Sequence, residues 1–401
     1  MESIRNLYKI GHGPSSSHTM APQKAALMFK EKNVDADSFR VTLYGSLAAT
    51  GKGHLTDDAI IKTLQPHSVE IVWMPEIVLP YHTNGMKFEA IDKEGKAYNE
   101  WIIYSIGGGD LSDGTQRVMT ESIYDKTTMK GILEWCQQTV KTFWEYVEDS
   151  EGKEIYDYLG TVWETMVDAI HRGMDAEGLL PGGLGLQRKS SMYYVKSRGY
   201  QGSMKSRALI YSYALAVSEE NASGGLIVTA PTCGSCGVLP SVLYHLKMNH
   251  DYSEQKIMRA LATAGLIGNL VKHNASVSGA EVGCQGEVGV ACAMAAAAAC
   301  QLFGGSTQQI EYAAEMGLEH HLGLTCDPVC GLVQVPCIER NAFAAARALD
   351  SCSFAMLSDG KHLINFDKVV KTMQQTGHDL PSLYKETSMG GLAINIDSIN
   401  E

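Results

Sequence analysis

The hydrophobic pattern of this chain changes once, and the change divides the sequence into two parts. Up to about Asp110 the apolar residues follow both the two-residue period of strands and the longer period of helices. After Gly107-Gly108-Gly109 the strand pattern stops, and from Lys126 onward the pattern is helical almost throughout, with glycine and proline at the breaks. The second part is therefore predicted to be an all-α domain. The helices expected there are Tyr124–Tyr146, Ile155–Gly173, Met204–Glu219, Leu239–Met248, Ser253–Leu270, Glu287–Phe303, Ser306–Leu318, Ile338–Leu349 and Leu363–Thr376.

The first part is predicted to be a small α/β domain. Alternating apolar residues through Tyr81–Ile106, with turn residues at Asn84-Gly85 and Glu94-Gly95, favour a meander of antiparallel strands. The fold class is therefore α+β, with domains over residues 1–145 and 146–401 and a boundary between Asp110 and Asp149. The other elements expected in the first part are a helix over Ala21–Lys32, a strand over Phe39–Tyr44, a helix over Thr56–Leu64 and a strand over Ser68–Trp73.

Composition limits the partners and the location of the protein. The 401 residues carry a formal net charge of -12 without any Lys/Arg cluster, so no nucleic-acid partner is expected. The N-terminus has no apolar run of the length of a secretory signal, and the mostly alanine run Val288–Phe303 favours a buried helix over a membrane span. A reducing, cytoplasmic location is expected, in which the ten cysteines are thiols, metal ligands or core residues.

Three cysteines stand at turns or helix starts in the stretch Gly279–Leu349. Cys337 opens one helical run and Cys284 stands just ahead of another, where the positive end of a helix dipole favours a thiolate. Cys326 is followed by Asp327-Pro328, a turn signal. The three could hold an iron–sulfur cluster assembled from several loops, with one iron left open as a Lewis acid. Core packing is an equal alternative for each thiol alone.

A C-x-x-C pair, Cys233 and Cys236, competes with these three cysteines. Two such pairs would indicate a metal site, but the chain has one, and the βαβ context of a thioredoxin motif is missing. The flanking glycines favour a substrate-pocket loop, and a zinc or redox pair is the alternative. Packing is the expected role of Cys136, Cys292, Cys300 and Cys352.

Two polar segments of the first part could contribute to a functional site. Hydroxyls and backbone N–H groups of Ser15-Ser16-Ser17-His18-Thr19 open a helix and could bind a carboxylate, although a plain N-cap would use the same residues. The stretch Gly45–His54 looks like a glycine-rich loop after a strand but matches neither nucleotide-binding pattern. His54 could act as an acid or base, and a lone surface histidine is the alternative.

A third polar segment, residues 272–281, directly precedes Cys284. Its groups, among them Lys272, Asn274 and Glu281, could surround a cluster and line a substrate pocket. Helix capping by Asn274 or Ser278 is the alternative.

Together these segments resemble the iron–sulfur-dependent L-serine dehydratases (L-serine ammonia-lyases) of bacteria. The matching stretches occur in the family's order and span nearly the whole chain: GPSSSHTMAP, YGSLAATGKGH, SIGGG, TAPTCGSCGVLP, KHNASVSGAEVGCQGEVG and CDPVCGLVQVPCIERNA. The resemblance implies a β domain similar to the serine-site-binding domain of phosphoglycerate dehydrogenases, joined to an all-α catalytic domain. It also implies a homodimer that converts L-serine to pyruvate and ammonia.

The resemblance further implies roles for particular residues. A four-iron four-sulfur cluster, held by Cys284, Cys326 and Cys337, is expected to act as a Lewis acid and to be sensitive to oxygen. His54 matches the family's proposed general base, and His18 is grouped with it as catalytic. The expected substrate-binding residues are Ser15, Ser16, Ser17, Thr19, Thr229, Thr232, Lys272 and Asn274.

Two features depart from the family pattern. Cys330 stands where a small residue such as glycine is expected, and it is interpreted as a bystander. Some relatives end in a cysteine that reaches the open iron, whereas this chain ends in NIDSINE and its last cysteine is Cys352. Water or another group is therefore expected at the fourth iron at rest.

Other functions stay open at this point. A related cysteine desulfidase would use the same cluster to expel sulfide, and only the SSSHT segment speaks for serine. An electron-transfer or sensing iron–sulfur protein is a second alternative, although such proteins gather their cysteines in close C-x₂-C runs. An amino-acid-binding regulatory module is a third. The lysine motif of pyridoxal-phosphate enzymes is not found, so a metal route is preferred.

Overall fold

The computed structural model describes residues 1–115 and 121–394. The first part contains a mixed five-stranded sheet with helices, and the second part is helical, so the predicted α+β class is confirmed. The NIDSINE tail lies outside the described residues. The strands are β1 (Ile10–His12), β2 (Ser38–Tyr44), β3 (Ser68–Met74), β4 (Gly85–Ile91), β5 (Ala97–Ser105), β6 (Leu111–Ser112) and β7 (Leu226–Val228). The helices of the first part are α1 (Ala21–Lys32), α2 (Gly45–Thr50) and α3 (Thr56–Leu64).

The five-stranded sheet has the order β3-β2-β4-β5-β6. β2 and β3 run parallel, with α2 and α3 between them in sequence, whereas β4 and β5 form an antiparallel hairpin that turns at Glu94-Gly95, as predicted. The other predicted turn is wrong, because Asn84-Gly85 leads into β4, which pairs with β2 rather than with β3. Phe39 of β2 and Phe88 of β4 pack against Phe29 of α1 and form the core of this domain.

The helical part is built around α12. This helix contacts α9, α10, α13 and α14, and residues 291–300 have no exposed surface. Its alanines permit close packing, since a Cβ added to Gly317 of α13 would lie 3.0 Å from the Cα of Ala293. The predicted buried helix is confirmed, and no helix within the described ranges is long and apolar enough to cross a membrane. The helices are α4 (Met129–Thr139), α5 (Phe143–Glu151), α6 (Ile155–Asp175), α7 (Ser190–Ser197), α8 (Gly202–Ala222), α9 (Val238–His250), α10 (Glu254–Asn274), α11 (Gly279–Val282), α12 (Val288–Leu302), α13 (Thr307–Glu319), α14 (Cys337–Leu357) and α15 (Phe366–Asp379).

Two local predictions are wrong. The single helix expected over Tyr124–Tyr146 is two helices, because Val140 ends α4 with φ 58° and a capping box of Thr142 and Glu145 starts α5. Residues 45–50 form the short helix α2 rather than an open loop. The helix α7 lies in a stretch for which no helix was predicted.

The first twelve residues of the chain are part of the helical body. β1 pairs antiparallel with β7, with Ile10 opposite Val228, and the Tyr8 hydroxyl donates to the Leu261 carbonyl of α10 at 2.8 Å. The side chain of Leu7 is buried in the same core as α10 and α12. The segment that follows β1 is therefore held against the helical part.

Replacing Gly173 of α6 by alanine should destabilise the protein. The added Cβ would lie 2.1 Å from the carbonyl oxygen of Ala216 on α8, so the two helices would have to move apart. Overpacking of this kind lowers the free energy of unfolding by about 1–3 kcal/mol. Urea denaturation measures the change. The control is Gly160→Ala on the same helix, where the Cβ would meet only Met258 Sδ at 3.8 Å. Equal stability of the two variants would contradict the close packing.

Candidate active site

A buried polar turn precedes α1. Residues 16–20 form one turn of π-helix, in which the Met20 N–H donates to the Ser15 carbonyl at 3.1 Å. Ser15 caps the turn, and its hydroxyl accepts from the His18 N–H at 3.1 Å. Every residue from Ser15 to Thr19 is at most 7% exposed, so the segment does more than cap a surface helix. Single π-turns are frequent at functional sites.

His54 lies directly against His18. The ring centroids are 4.5 Å apart in an edge-on arrangement, and the Thr19 hydroxyl donates to the His54 carbonyl at 2.6 Å. His54 is 1% exposed, so the alternative of a lone surface histidine is wrong. The two histidine-bearing segments of the first part, far apart in the sequence, form one buried pair.

Hydroxyl partners define which ring nitrogen of each neutral imidazole carries the proton. Thr50 donates its only hydroxyl hydrogen to the Ser46 carbonyl at 3.0 Å, so its oxygen can only accept from His54 Nδ1 at 3.2 Å. His54 therefore keeps Nε2 as an unprotonated acceptor. In the same way the Ser46 hydroxyl donates to the Glu386 carbonyl at 2.9 Å and accepts from His18 Nε2 at 3.1 Å.

Burial keeps both imidazoles neutral. Desolvation lowers the pKa of His54 from its usual value of 6.5 to about 3. Desolvation also lowers the pKa of His18 well below 6.5, and the neighbouring His54 lowers it further. Each neutral imidazole has one unprotonated ring nitrogen, which is the form that a general base requires.

These depressed pKa values predict a loss of stability in mild acid. As the pH falls through 6.5 the unfolded chain binds protons that the folded His54 binds only near pH 3, so acid favours unfolding. The expected contribution of His54 is a loss of about 2 kcal/mol in the free energy of unfolding between pH 7 and pH 5. Urea denaturation at both pH values measures it, and His54→Gln should lose that much less. An equal loss in both proteins would contradict a neutral, buried His54.

Cys284 and Cys326 face the same partly buried carboxyl group, that of Glu287. The Sγ atom of each lies 3.9 Å from Oε2 of Glu287, and the three groups have ligand atoms within 4.8 Å of one another. The other oxygen of Glu287 accepts from the Thr232 hydroxyl at 2.8 Å. A Cβ added to Gly279 would lie 3.1 Å from the Cys326 Sγ, so this glycine keeps the space beside the thiols clear.

Cys337 begins α14, as predicted, and its thiol interacts electrostatically with Cys284 without belonging to the set of ligand atoms within 4.8 Å of one another. Burial and the neighbouring Cys284 raise the pKa of Cys337, and a hydrogen bond with Cys284 together with burial raises the pKa of Cys326. Burial lowers the pKa of Arg340, but the nearby Cys284 and Cys337 outweigh it and raise that pKa. Thiols that oppose one another's ionisation need a cation before all of them ionise. The donor set therefore fits a thiolate-bound metal centre.

The remaining competing cysteines lie in other surroundings. Cys330 is exposed and has φ 54°. Cys233 and Cys236 are buried in a small apolar cluster with Ile170, and the Cys233 Sγ lies 3.3 Å from the sulfur of Met20. Packing explains the burial of both thiols, and the role of their loop in a substrate pocket stays a prediction, since Thr232 at its start donates to Glu287.

Glu386 connects the histidine pair with the thiols. It lies after α15, where its N–H donates to the Cys326 carbonyl at 2.6 Å, and one carboxyl oxygen lies 3.4 Å from His18 Nδ1. The ligand atoms of His18, His54 and Glu386 all lie within 4.8 Å of one another. Burial, with repulsion from Glu287, raises the pKa of Glu386 well above its usual range. The histidines and the thiols thus belong to one continuous buried site.

The other predicted substrate-binding residues bond to the protein itself. Thr229 donates to a backbone carbonyl of the N-terminal segment at 2.6 Å. Lys272 forms ion pairs with Glu2 and Asp110, and Asn274 donates to two backbone carbonyls at 2.7 and 2.8 Å. Their roles in substrate binding stay predictions.

Two acidic residues of the site are absent from the sequence-based prediction. Glu287 carries a usable signal, because it stands three residues after a proposed thiol ligand in the same glycine-rich stretch. Glu386 carries none, because it lies in irregular chain and only the fold brings it to the histidines.

A cluster of histidine, carboxyl and thiol groups with shifted pKa values is typical of an active site and indicates an enzyme. The family model for the serine dehydratase beta chain matches residues 3–72, and that for the serine dehydratase alpha chain matches residues 78–393. The chain belongs to the serine dehydratase family, as its motifs predict. The domain limits 1–145 and 146–401 stay a prediction.

Named relatives match over their full length. The L-serine dehydratase of Streptomyces coelicolor is 42% identical over 98% of this chain and 99% of its own. L-serine dehydratase 1 of Escherichia coli is 41% identical over 99% of both chains, and the L-serine dehydratase of Helicobacter pylori is 37% identical over 98% of both.

Proposed function

We propose that this enzyme is an L-serine ammonia-lyase that uses a four-iron four-sulfur cluster bound by Cys284, Cys326 and Cys337. The observation that carries the proposal is the position of Glu386. Its carboxyl group lies beside the buried histidine pair, and its N–H group bonds to Cys326, so that the histidines and the thiols lie in one site. The names of the full-length relatives support serine as substrate. The cluster, when bound, would supply a Lewis acid for the serine β-hydroxyl group.

The polar turn from Ser15 to Thr19 is proposed to hold the substrate carboxylate. Serine hydroxyls and backbone N–H groups at the start of α1 are suitable hydrogen-bond donors to an anion. Holding the carboxylate there would fix the direction of the Cα–H bond relative to the histidines. Thr229, Thr232, Lys272 and Asn274 are proposed to complete the pocket.

His54 is proposed to remove the α-proton of serine. Its Nε2 is the free acceptor, while Nδ1 is held by Thr50, so the proton would be taken up at Nε2. His18 packs edge-on against the same ring and would hold it in place. Loss of the α-proton and the β-hydroxyl group leaves aminoacrylate, which tautomerises and hydrolyses to pyruvate and ammonia without net redox change.

An anaerobic assay tests this proposal. The purified protein should be brown, contain about four iron atoms per chain and release pyruvate from L-serine faster than it releases 2-oxobutyrate from L-threonine. A colourless but fully active protein would contradict the cluster, and sulfide release from L-cysteine exceeding pyruvate release from L-serine would favour a desulfidase. Exposure to air should abolish activity and colour together, because an open iron is accessible to oxygen.

A cytoplasmic location and a homodimer are also proposed, without a nucleic-acid partner.

A further inference from the structure

One atom of the site has no partner in the mechanism above. The side chain of Glu386 is 8% exposed, and its oxygen Oε1 faces His18 Nδ1 at 3.4 Å. Among residues 1–115 and 121–394, no group donates a hydrogen bond to the other oxygen, Oε2. A buried carboxyl oxygen without a donor is destabilising, because it has lost its hydrogen bonds to water without a replacement. The site therefore contains an acceptor for which the described protein provides no donor.

The charges around this oxygen favour a cationic donor. The same site holds a second carboxyl group, Glu287, which faces the thiols of Cys284 and Cys326. The nearby cation Arg340 already donates to the Thr325 carbonyl at 2.6 Å and lies 3.4 Å from Asp327. A positively charged donor would satisfy Oε2 and offset this concentration of acidic groups.

We propose that Glu386 Oε2 binds the α-ammonium group of the amino-acid substrate. The proposal rests on the proposed function and adds to it the group that recognises the amine. His18 Nδ1 contacts both Ser17, at 2.8 Å in the turn proposed for the carboxylate, and Glu386 on its other side. The proposed carboxylate site and the unpaired oxygen of Glu386 thus both adjoin the His18 imidazole. This arrangement suits an amino acid, whose carboxylate and ammonium groups are attached to one α-carbon.

The carboxyl group of Glu287 is less suited than that of Glu386 to binding the ammonium group. Oε1 of Glu287 accepts from Thr232 at 2.8 Å, and Oε2 of Glu287 faces both Cys284 and Cys326 at 3.9 Å. Neither oxygen of Glu287 lacks a neighbouring donor. Glu386 is therefore the carboxyl group assigned to the ammonium group.

A specificity follows from this assignment. A site that holds an ammonium group on a buried carboxylate should reject an analogue with a neutral hydroxyl at the same carbon. L-Alanine and L-lactate differ only in that substituent, and neither carries a β leaving group, so their binding can be measured without turnover.

Calorimetric titration of the anaerobically purified holoenzyme tests the assignment. The parent protein should bind L-alanine at least about tenfold more tightly than L-lactate. Glu386→Gln should reduce that preference to about threefold or less, and Glu386→Asp, which keeps the charge, should retain more of it. In L-serine turnover, Glu386→Gln should raise KM at least about tenfold with a smaller change in kcat. Glu287→Gln is the matched control and should keep the preference.

Equal binding of the two compounds by the parent protein would overturn the assignment, and this measurement does not depend on the folding of any variant. A preference that survives Glu386→Gln, or one lost instead in Glu287→Gln, would overturn it as well. Iron content and pyruvate release are measured on the same parent sample. Iron and turnover without the preference refute the ammonium site alone, and the preference without iron and turnover refutes the proposed function alone.

Discussion

Cys284→Ala is expected to remove both the iron and the activity of the protein. Cys284 is one of three proposed cluster ligands, and its thiol interacts with Cys337, Cys326 and Glu287. Loss of one thiolate leaves the cluster incompletely held, and activity with L-serine should fall at least about a thousandfold. Iron content, the visible absorption spectrum and kcat/KM under anaerobic conditions measure the effect.

The matched controls are cysteines that the structure places elsewhere. Cys330→Ala changes an exposed thiol in the same segment as Cys326, and Cys233→Ala changes a buried thiol packed against Met20. Both variants should keep their iron. Iron retained in Cys284→Ala, or lost in Cys330→Ala, would mean that the ligand set is wrong.

His54→Ala should leave the iron in place and lower kcat by about 10²–10⁴-fold. The imidazole is buried and neutral, and its Nε2 is the proposed acceptor of the α-proton. Alanine cannot accept that proton, whereas the thiols lie on other segments and keep their partners. Steady-state kinetics with L-serine, beside an iron determination on the same sample, measure the effect.

His245→Ala provides the control for this variant. His245 on α9 is also buried, at 5% exposed, and burial lowers its pKa to about 4. His245→Ala should change kcat by no more than about twofold relative to the parent protein, because packing changes away from the site act mainly on stability. If His54→Ala behaved like His245→Ala, His54 would not be the base.

Periodicity predicts α1 and α3 well because each has one buried face. α1 and α3 have the predicted limits, since their apolar residues face the sheet at helical spacing. The break between α4 and α5 escapes such reasoning, because Val140 adopts a left-handed conformation that β-branched residues rarely take. The pairing of β1 with β7 cannot be predicted from periodicity either, because three residues are too few for a pattern.

The site is predictable where its residues are neighbours in sequence. His18 stands among serines, and the proposed thiol ligands stand at turns or helix starts, so each has a local context that indicates chemistry. Glu386 has no such context. An isolated β-bridge between Cys326 and Lys385 places the segment of Glu386 next to the thiols. A tertiary contact of this kind leaves no local pattern in the sequence.

The pairing of β1 with β7 also determines when the pocket can form during synthesis. Lys9 bonds across this pair to Thr229, 220 residues later, so the ribosome releases β1 long before its partner strand exists. The five-stranded sheet uses residues only up to Ser112, so the sheet and the contact of His18 with His54 can form early, whereas the helical side of the turn is missing until α8 and β7 emerge. Glu386 emerges later still. A nascent chain therefore presents no finished pocket to iron or to amino acids until Glu386 has been synthesised.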